Sequence, residues 1–162
     1  MEYKMIVLDL DGTLTNSKKE MTDRTRETLL TAERQGLRVV LASGRPTYGI
    51  TALADELRLK DYGGYILAFN GGRITDCATG RVVFDQPLDP SVVEPLYRKV
   101  KAAGMEMLTY QDEKIAATKR ANKYVLHEAF INKMPVVEFS DFVHEVRYPI
   151  NKCLVVGDPS PL

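Results

Sequence analysis

Apolar residues in this chain come in short runs, and most runs end at a small polar loop. Lys4-Met5-Ile6-Val7-Leu8 is a run of strand length that stops at Asp9-Leu10-Asp11-Gly12-Thr13. Its continuous apolar character predicts a strand buried on both faces, as in a parallel sheet. Residues 15–20 are polar and read as a loop. Residues 22–35 read as a helix, with Thr22 or Asp23 as its N-cap and Gly36 at the left-handed C-terminal position. Residues 37–42 form the next strand, and the strand–helix–strand order suits a parallel crossover. That strand ends at Ser43-Gly44-Arg45-Pro46. Ile50, Leu53, Ala54 and Leu57 then mark a helical apolar stripe. A third strand over 65–69 ends at Asn70-Gly71-Gly72. Three strands therefore end in polar loops, which an open parallel α/β sheet places together on its carboxyl edge.

The pattern changes after this point. Residues 73–76 and 81–84 flank Cys77-Ala78-Thr79-Gly80 and predict a β-hairpin. A helix is expected from Asp89-Pro90-Ser91 to Ala103, with Val92, Val93, Leu96 and Val100 on one side. Pro95 is tolerable in it only near the first turn. Strands are expected over 105–110 and 114–118, a helix over 121–132 with Val125, Phe130 and Ile131 in the core, a short helix over 139–146, and a last strand over 151–156. The whole reads as an α/β chain whose second module begins near residue 84.

Composition narrows the function classes. The 162 residues suffice for one domain, or for one small domain and part of another. The 22 basic and 22 acidic residues balance, which gives no electrostatic case for nucleic acid or an anionic membrane as partner. No run approaches the roughly 20 apolar residues of a membrane span, and no signal peptide is visible. Cys77 and Cys153 stand alone, without metal-type spacing. Two isolated thiols fit a reducing cytoplasm. His127 and His144, 17 positions apart with no metal-type neighbour, read as surface residues.

The chemistry gathers at the three loops. Asp9 and Asp11 leave a strand at spacing i, i+2 and face one side. Two such carboxylates repel each other unless a cation or a shared proton relieves them. Oxygen ligands at a tight loop suit Mg2+. A carboxylate beside Mg2+ is also a plausible nucleophile towards phosphorus. Gly12 allows a sharp turn and a close approach of backbone amides. Ser43, Gly44 and Arg45 suit a phosphate: a hydroxyl and the following backbone amides as donors, a planar guanidinium fork, and a helix N-terminus following Pro46. The blander readings are an Asx turn at Asp9–Thr13, helix capping at Ser43 and Thr47, and a plain Asn-Gly turn at Asn70.

The pentapeptide Asp9-Leu10-Asp11-Gly12-Thr13 after an N-terminal strand resembles the haloacid dehalogenase superfamily of phosphatases and phosphotransferases. Ser43-Gly44-Arg45 and Asn70-Gly71 most resemble its Cof-type branch. That resemblance implies a Rossmann-like parallel-sheet core with an inserted α/β cap, here 1–84 as part of the core and 85–162 as part of the cap. It implies Mg2+ and a small phosphate ester, such as a sugar phosphate, as substrate. Asp9 would be the nucleophile and Asp11 the acid/base, with both at the metal. Leu10, Gly12, Thr13, Ser43, Gly44, Arg45 and Asn70 would contact the phosphate or substrate.

Two pieces of the family pattern do not fall into place. One is a Lys that neutralises the nucleophile; the other is a Gly-Asp loop with a further acid for the metal. Lys152 lies too close to Asp158 for the pair to fill these roles, and Pro159-Ser160-Pro161-Leu162 brings no further acid. The chain is therefore expected to be the first part of a longer protein. The rival readings are a phosphotransferase such as a phosphomutase, a receiver-like signalling domain, and a truncated product without catalysis. Ser43 and Asn70 at the later strand ends argue against the receiver, which needs a separate acceptor Asp there.

Overall fold

The computed structural model describes residues 3–158, which divide between Gln86 and Pro87 into two compact units. In the first unit the elements are β1 (Met5–Asp9), α1 (Asp23–Arg34), β2 (Arg38–Ala42), α2 (Tyr48–Glu56), α3 (Leu59–Tyr62), β3 (Tyr65–Ala68), β4 (Arg73–Asp76) and β5 (Val82–Asp85). They build one sheet of order β1-β2-β3-β4-β5. β1, β2 and β3 run parallel, with Asp9 opposite Ala42 and Ala42 opposite Leu67. β4 and β5 return antiparallel as the expected hairpin. Its turn is closed by Asp76 Oδ1, which accepts the amides of Ala78 and Thr79.

Local signals account for most of these elements. The Thr22 hydroxyl caps α1 by accepting from the Thr25 amide, and Gly36 follows at φ +93°. Ile50, Leu53, Ala54 and Leu57 face inward from α2 and its end, together with Val39, Leu41, Ile66 and Leu10. Gly64 lets β3 approach β2, because a Cβ there would stand 2.5 Å from the Val39 carbonyl oxygen.

β1 differs from expectation. It is the edge strand, and Met5 and Val7 are 48% and 53% exposed rather than buried on both faces. Apolar runs report that a strand lies in a sheet; they do not report which of its faces is covered.

The second unit has its own sheet, order β8-β7-β6-β9, built from β6 (Glu106–Gln111), β7 (Lys114–Ala117), β8 (Val136–Glu138) and β9 (Leu154–Val156). Its helices are α4 (Val93–Ala102), α5 (Lys123–Asn132) and α6 (Phe142–Glu145). Val93, Val100, Met107, Phe142 and Ile150 form a core, in which Tyr97 and Phe142 stack at 5.1 Å. A 3-10 turn, Pro90–Val92, precedes α4, so Pro95 falls in the first turn of α4, where no amide is needed. Val125 is buried, whereas Phe130 is 78% exposed and not a core residue. His127 and His144 are exposed, and His144 pairs with the Asp141 that caps α6. Residues 159–162, which bear on the reading of Asp158, lie outside the described residues.

One buried position breaks the apolar stripe of α1. Glu33 lies on the face of Leu29 and Leu30 and is only 4% exposed. Among the described residues neither of its carboxyl oxygens has a hydrogen-bond partner. Burial alone pushes its pKa from 4.5 up to about 7. The folded chain thus holds this proton more tightly than the unfolded chain does. The contribution of the neutral acid is complete below pH 4.5 and is lost as pH rises through about 7, a change of about 3 kcal/mol. Glu33→Met keeps side-chain length and helix propensity while removing the ionisable group. It should change stability little near pH 4.5 and raise it by about 2–3 kcal/mol near pH 8. Denaturant melts at the two pH values check this, and an unchanged pH slope would refute it.

Candidate active site

The loop after β1 is a tight wrap around one carbonyl. The Leu10 oxygen accepts from the Thr13 amide, the Thr15 amide and the Thr15 hydroxyl, at 3.3, 2.9 and 2.9 Å. The Leu14 amide reaches back to the Asp9 carbonyl at 3.1 Å. Gly12 sits at φ +86° in the bend. Leu10 and Leu14 point into the core and anchor the loop. Asp9, Asp11, Gly12 and Thr13 stay at the surface.

The loops after β2 and β3 are tied to each other. The Ser43 amide donates to the Leu67 carbonyl, the Phe69 amide to the Arg45 carbonyl, and the Asn70 amide to the Ser43 carbonyl, at 2.9–3.0 Å. The ladder thus continues past the ends of both strands. Phe69 and Asn70 take positive φ values, +54° and +57°, to make the turn. The Asn70 side chain closes over Gly44, where a Cβ would meet its Oδ1 at 2.8 Å. Ser43 is buried, and its Oγ accepts the Arg45 amide at 3.2 Å. It does not cap α2, which begins after Thr47 without a side-chain cap bond.

Arg45 joins this pair of loops to the first. It is 8% exposed, and its fork closes on Asp11: Nε to Oδ2 at 3.0 Å and Nη2 to Oδ1 at 2.6 Å, with Nη1 on the Gly49 carbonyl at 3.3 Å. Lys19 Nζ donates to the same Asp11 Oδ1 at 2.8 Å. The Arg45 hydrogen bonds, aided by those of Lys19, hold the Asp11 carboxyl down to about 2 against the opposing effect of burial. Asp11 is therefore ionised throughout the physiological range. No described residue hydrogen-bonds or pairs with the Asp9 carboxylate. The two carboxylates of the loop thus differ sharply: one is clamped by two cations and the other is open.

The expected site residues Asp9 to Thr13, Ser43 to Arg45 and Asn70 all fall at the carboxyl ends of the adjacent strands β1, β2 and β3, whereas Lys152 and Asp158 belong to the second unit. The Arg45 fork, anticipated on a phosphate, is placed on Asp11. Lys19 carried no sequence signal of its own, because Lys18-Lys19 in a polar loop reads as solvated charge. Asn16 could have located a tight turn there, but not its direction.

The donor set suits a hard cation in part. The Asp9 carboxylate and the Asp11 main-chain carbonyl belong to the same short segment, and neither accepts a backbone hydrogen bond from the described residues. Mg2+ keeps several waters and needs few protein oxygens. The Asp11 carboxylate suits it less, being already shared by Arg45 and Lys19. Among the described residues no group of three or more His, Cys, Asp or Glu side chains is placed to hold a metal. No helix among them is long and apolar enough to cross a membrane.

The model of the haloacid dehalogenase-like hydrolases matches residues 6–162 of this chain. A "putative phosphatase" of Streptococcus pyogenes serotype M6 is 33% identical over 140 residues, covering 84% of this chain and 51% of that protein. A haloacid dehalogenase-like hydrolase of Bacteroides thetaiotaomicron, known from its crystal structure, superposes with a TM-score of 0.92 at 48% identity. That match covers 97% of this chain and 59% of the other. A subclass IIB sugar phosphatase of the same superfamily shares the fold, with a TM-score of 0.70 at 18% identity, over 91% of this chain and 56% of its own. The chain spans about half the length of the curated relatives it matches.

Proposed function

The chain belongs to the haloacid dehalogenase-like hydrolases, and we propose that the full-length protein hydrolyses phosphomonoesters of small metabolites, sugar phosphates among them, through a phosphoryl group carried on Asp9. The observation that carries this reading is the asymmetry of the loop: Asp9 open, Asp11 pinned by Arg45 and Lys19. In this reading the first unit is part of the catalytic core, approximately 1–84, and the second is part of a cap that closes over substrate, approximately 85–162. The protein works in the cytoplasm.

An oxygen of Asp9 attacks phosphorus in line, and the bond from phosphorus to the ester oxygen breaks. That oxygen takes a proton from Asp11. Water then attacks phosphorus while Asp11 accepts its proton, the bond to Asp9 breaks, and inorganic phosphate leaves. The pinned Asp11 is in the form the second half needs. The first half needs it protonated, which requires the incoming phosphate dianion to draw a cation off Asp11. The Ser43 hydroxyl accepts the Arg45 amide, so its own hydrogen is left for a phosphate oxygen. Leu10, Gly12, Thr13 and Gly44 offer backbone and hydroxyl donors around it, and Asn70 borders the substrate side. Mg2+, held by the Asp9 carboxylate and the Asp11 carbonyl, would offset phosphate charge.

The test is release of inorganic phosphate from a panel of sugar phosphates by the full-length protein, with and without Mg2+. Mg2+-dependent release is expected. Transfer of the phosphoryl group to a second sugar hydroxyl without release would mark a phosphotransferase instead, and labelling without turnover would mark a signalling protein.

A further inference from the structure

We propose that Lys19 is a positioning residue of this site, and that the turn around it serves to hold its ammonium group on Asp11. Two cations from two different loops meet one carboxylate oxygen: Arg45 Nη2 at 2.6 Å and Lys19 Nζ at 2.8 Å from Asp11 Oδ1. Arg45 arrives from the loop after β2 and fixes the plane of the carboxylate through its fork. Lys19 arrives from Asp11's own loop, eight residues further along the chain. Together they converge on one oxygen of the carboxylate, while Arg45 Nε also holds the other.

The backbone at Lys19 is the second observation. Its φ is +64°, a left-handed conformation that L-residues other than Gly, Asn and Asp seldom adopt. Residues held this way concentrate where surrounding structure over-determines them, often at functional sites. Here the surroundings are explicit. The Asn16 amide donates to the Glu20 carbonyl and the Lys19 amide to the Asn16 carbonyl, both at 2.9 Å. Asn16 Oδ1 accepts the amides of Lys18 and Glu20, at 2.8 and 3.1 Å. Asn16 thus acts as a clamp on an exposed turn that has no core of its own. A Gly at position 19 would suit the backbone better; a Lys there puts a charge on Asp11.

The catalytic consequence rests on the phosphatase reading, whereas the pair itself does not. In the full-length protein, Lys19→Met should lower kcat about tenfold with KM within about twofold, and Lys19→Arg should restore most of it. Asn16→Ala should resemble Lys19→Met, and the double variant should be no worse than either, because Asn16 acts through Lys19. Independently of turnover, the 1H–15N signal of the Lys19 ammonium group should be visible in the wild type. It should vanish in Asp11→Asn while the amide spectrum persists. Unchanged kcat in Lys19→Met, multiplicative losses in the double variant, or an ammonium signal indifferent to Asp11→Asn would each overturn the proposal. A wild-type protein without turnover that still shows the signal and its loss would sink the phosphatase reading and leave the positioning pair standing.

Discussion

Asp9→Asn in the full-length protein is expected to lower kcat for phosphate release by about 10⁴-fold or more, with little change in fold. Two features make the effect so large. Asp9 sits at the last position of β1, opposite Ala42, so its place is set by the sheet ladder and not by the side chain. Among the described residues its carboxylate has no partner, so the amide leaves no buried charge unpaired and the protein should fold normally. What is lost is the nucleophile, since an amide oxygen does not form the acyl phosphate. Steady-state kinetics with circular dichroism as the fold control measure this. A variant with activity within about tenfold of wild type would remove Asp9 from the reaction.

The second large effect is expected at Arg45. Arg45→Met should lower kcat by about 10²–10³-fold, and Arg45→Lys should recover little of it. The fork is 8% exposed and makes two bonds to Asp11 and one to the Gly49 carbonyl. A lysine supplies the charge without the planar pair of donors, so Asp11 would be left to a half-exposed Lys19. The same substitutions separate two roles for Arg45. If it orients Asp11, as the structure places it, kcat falls while KM moves little. If its main partner is the substrate phosphate, KM rises as well. Both parameters from one substrate titration decide between them.

Much of the first unit was legible because its apolar runs are short and each ends abruptly. Three such runs, with a helix between the first two, leave few arrangements other than parallel strands with their polar ends on one edge. Thr22, Gly36 and the stripe at Ile50, Leu53, Ala54 and Leu57 marked the helices through capping and period. The less legible features depend on what lies opposite in space. Whether a face of β1 is covered is a property of its neighbours, so the exposure of Met5 and Val7 could not be read from the run. Phe130 is apolar and helical, yet it faces solvent. β8 is only Val136–Glu138, behind Met134-Pro135, too short to show a period. The three loops were found because Asp, Ser, Gly, Arg and Asn at strand ends signal chemistry at once. How they engage one another was not readable: Arg45 on Asp11 spans 34 positions, and Lys19 on Asp11 depends on a backbone turn set by Asn16.

The claim at the centre of this account is that Asp9 carries the phosphoryl group. The most direct measurement is acid-quenched trapping on the full-length protein with a turning-over phosphomonoester and Mg2+, followed by peptide mass mapping. One phosphoryl group on the peptide containing Asp9, labile to hydroxylamine and absent from Asp9→Asn, is the predicted result. A phosphoryl group on another residue, or steady turnover with none trapped on Asp9 at any quench time, would contradict it.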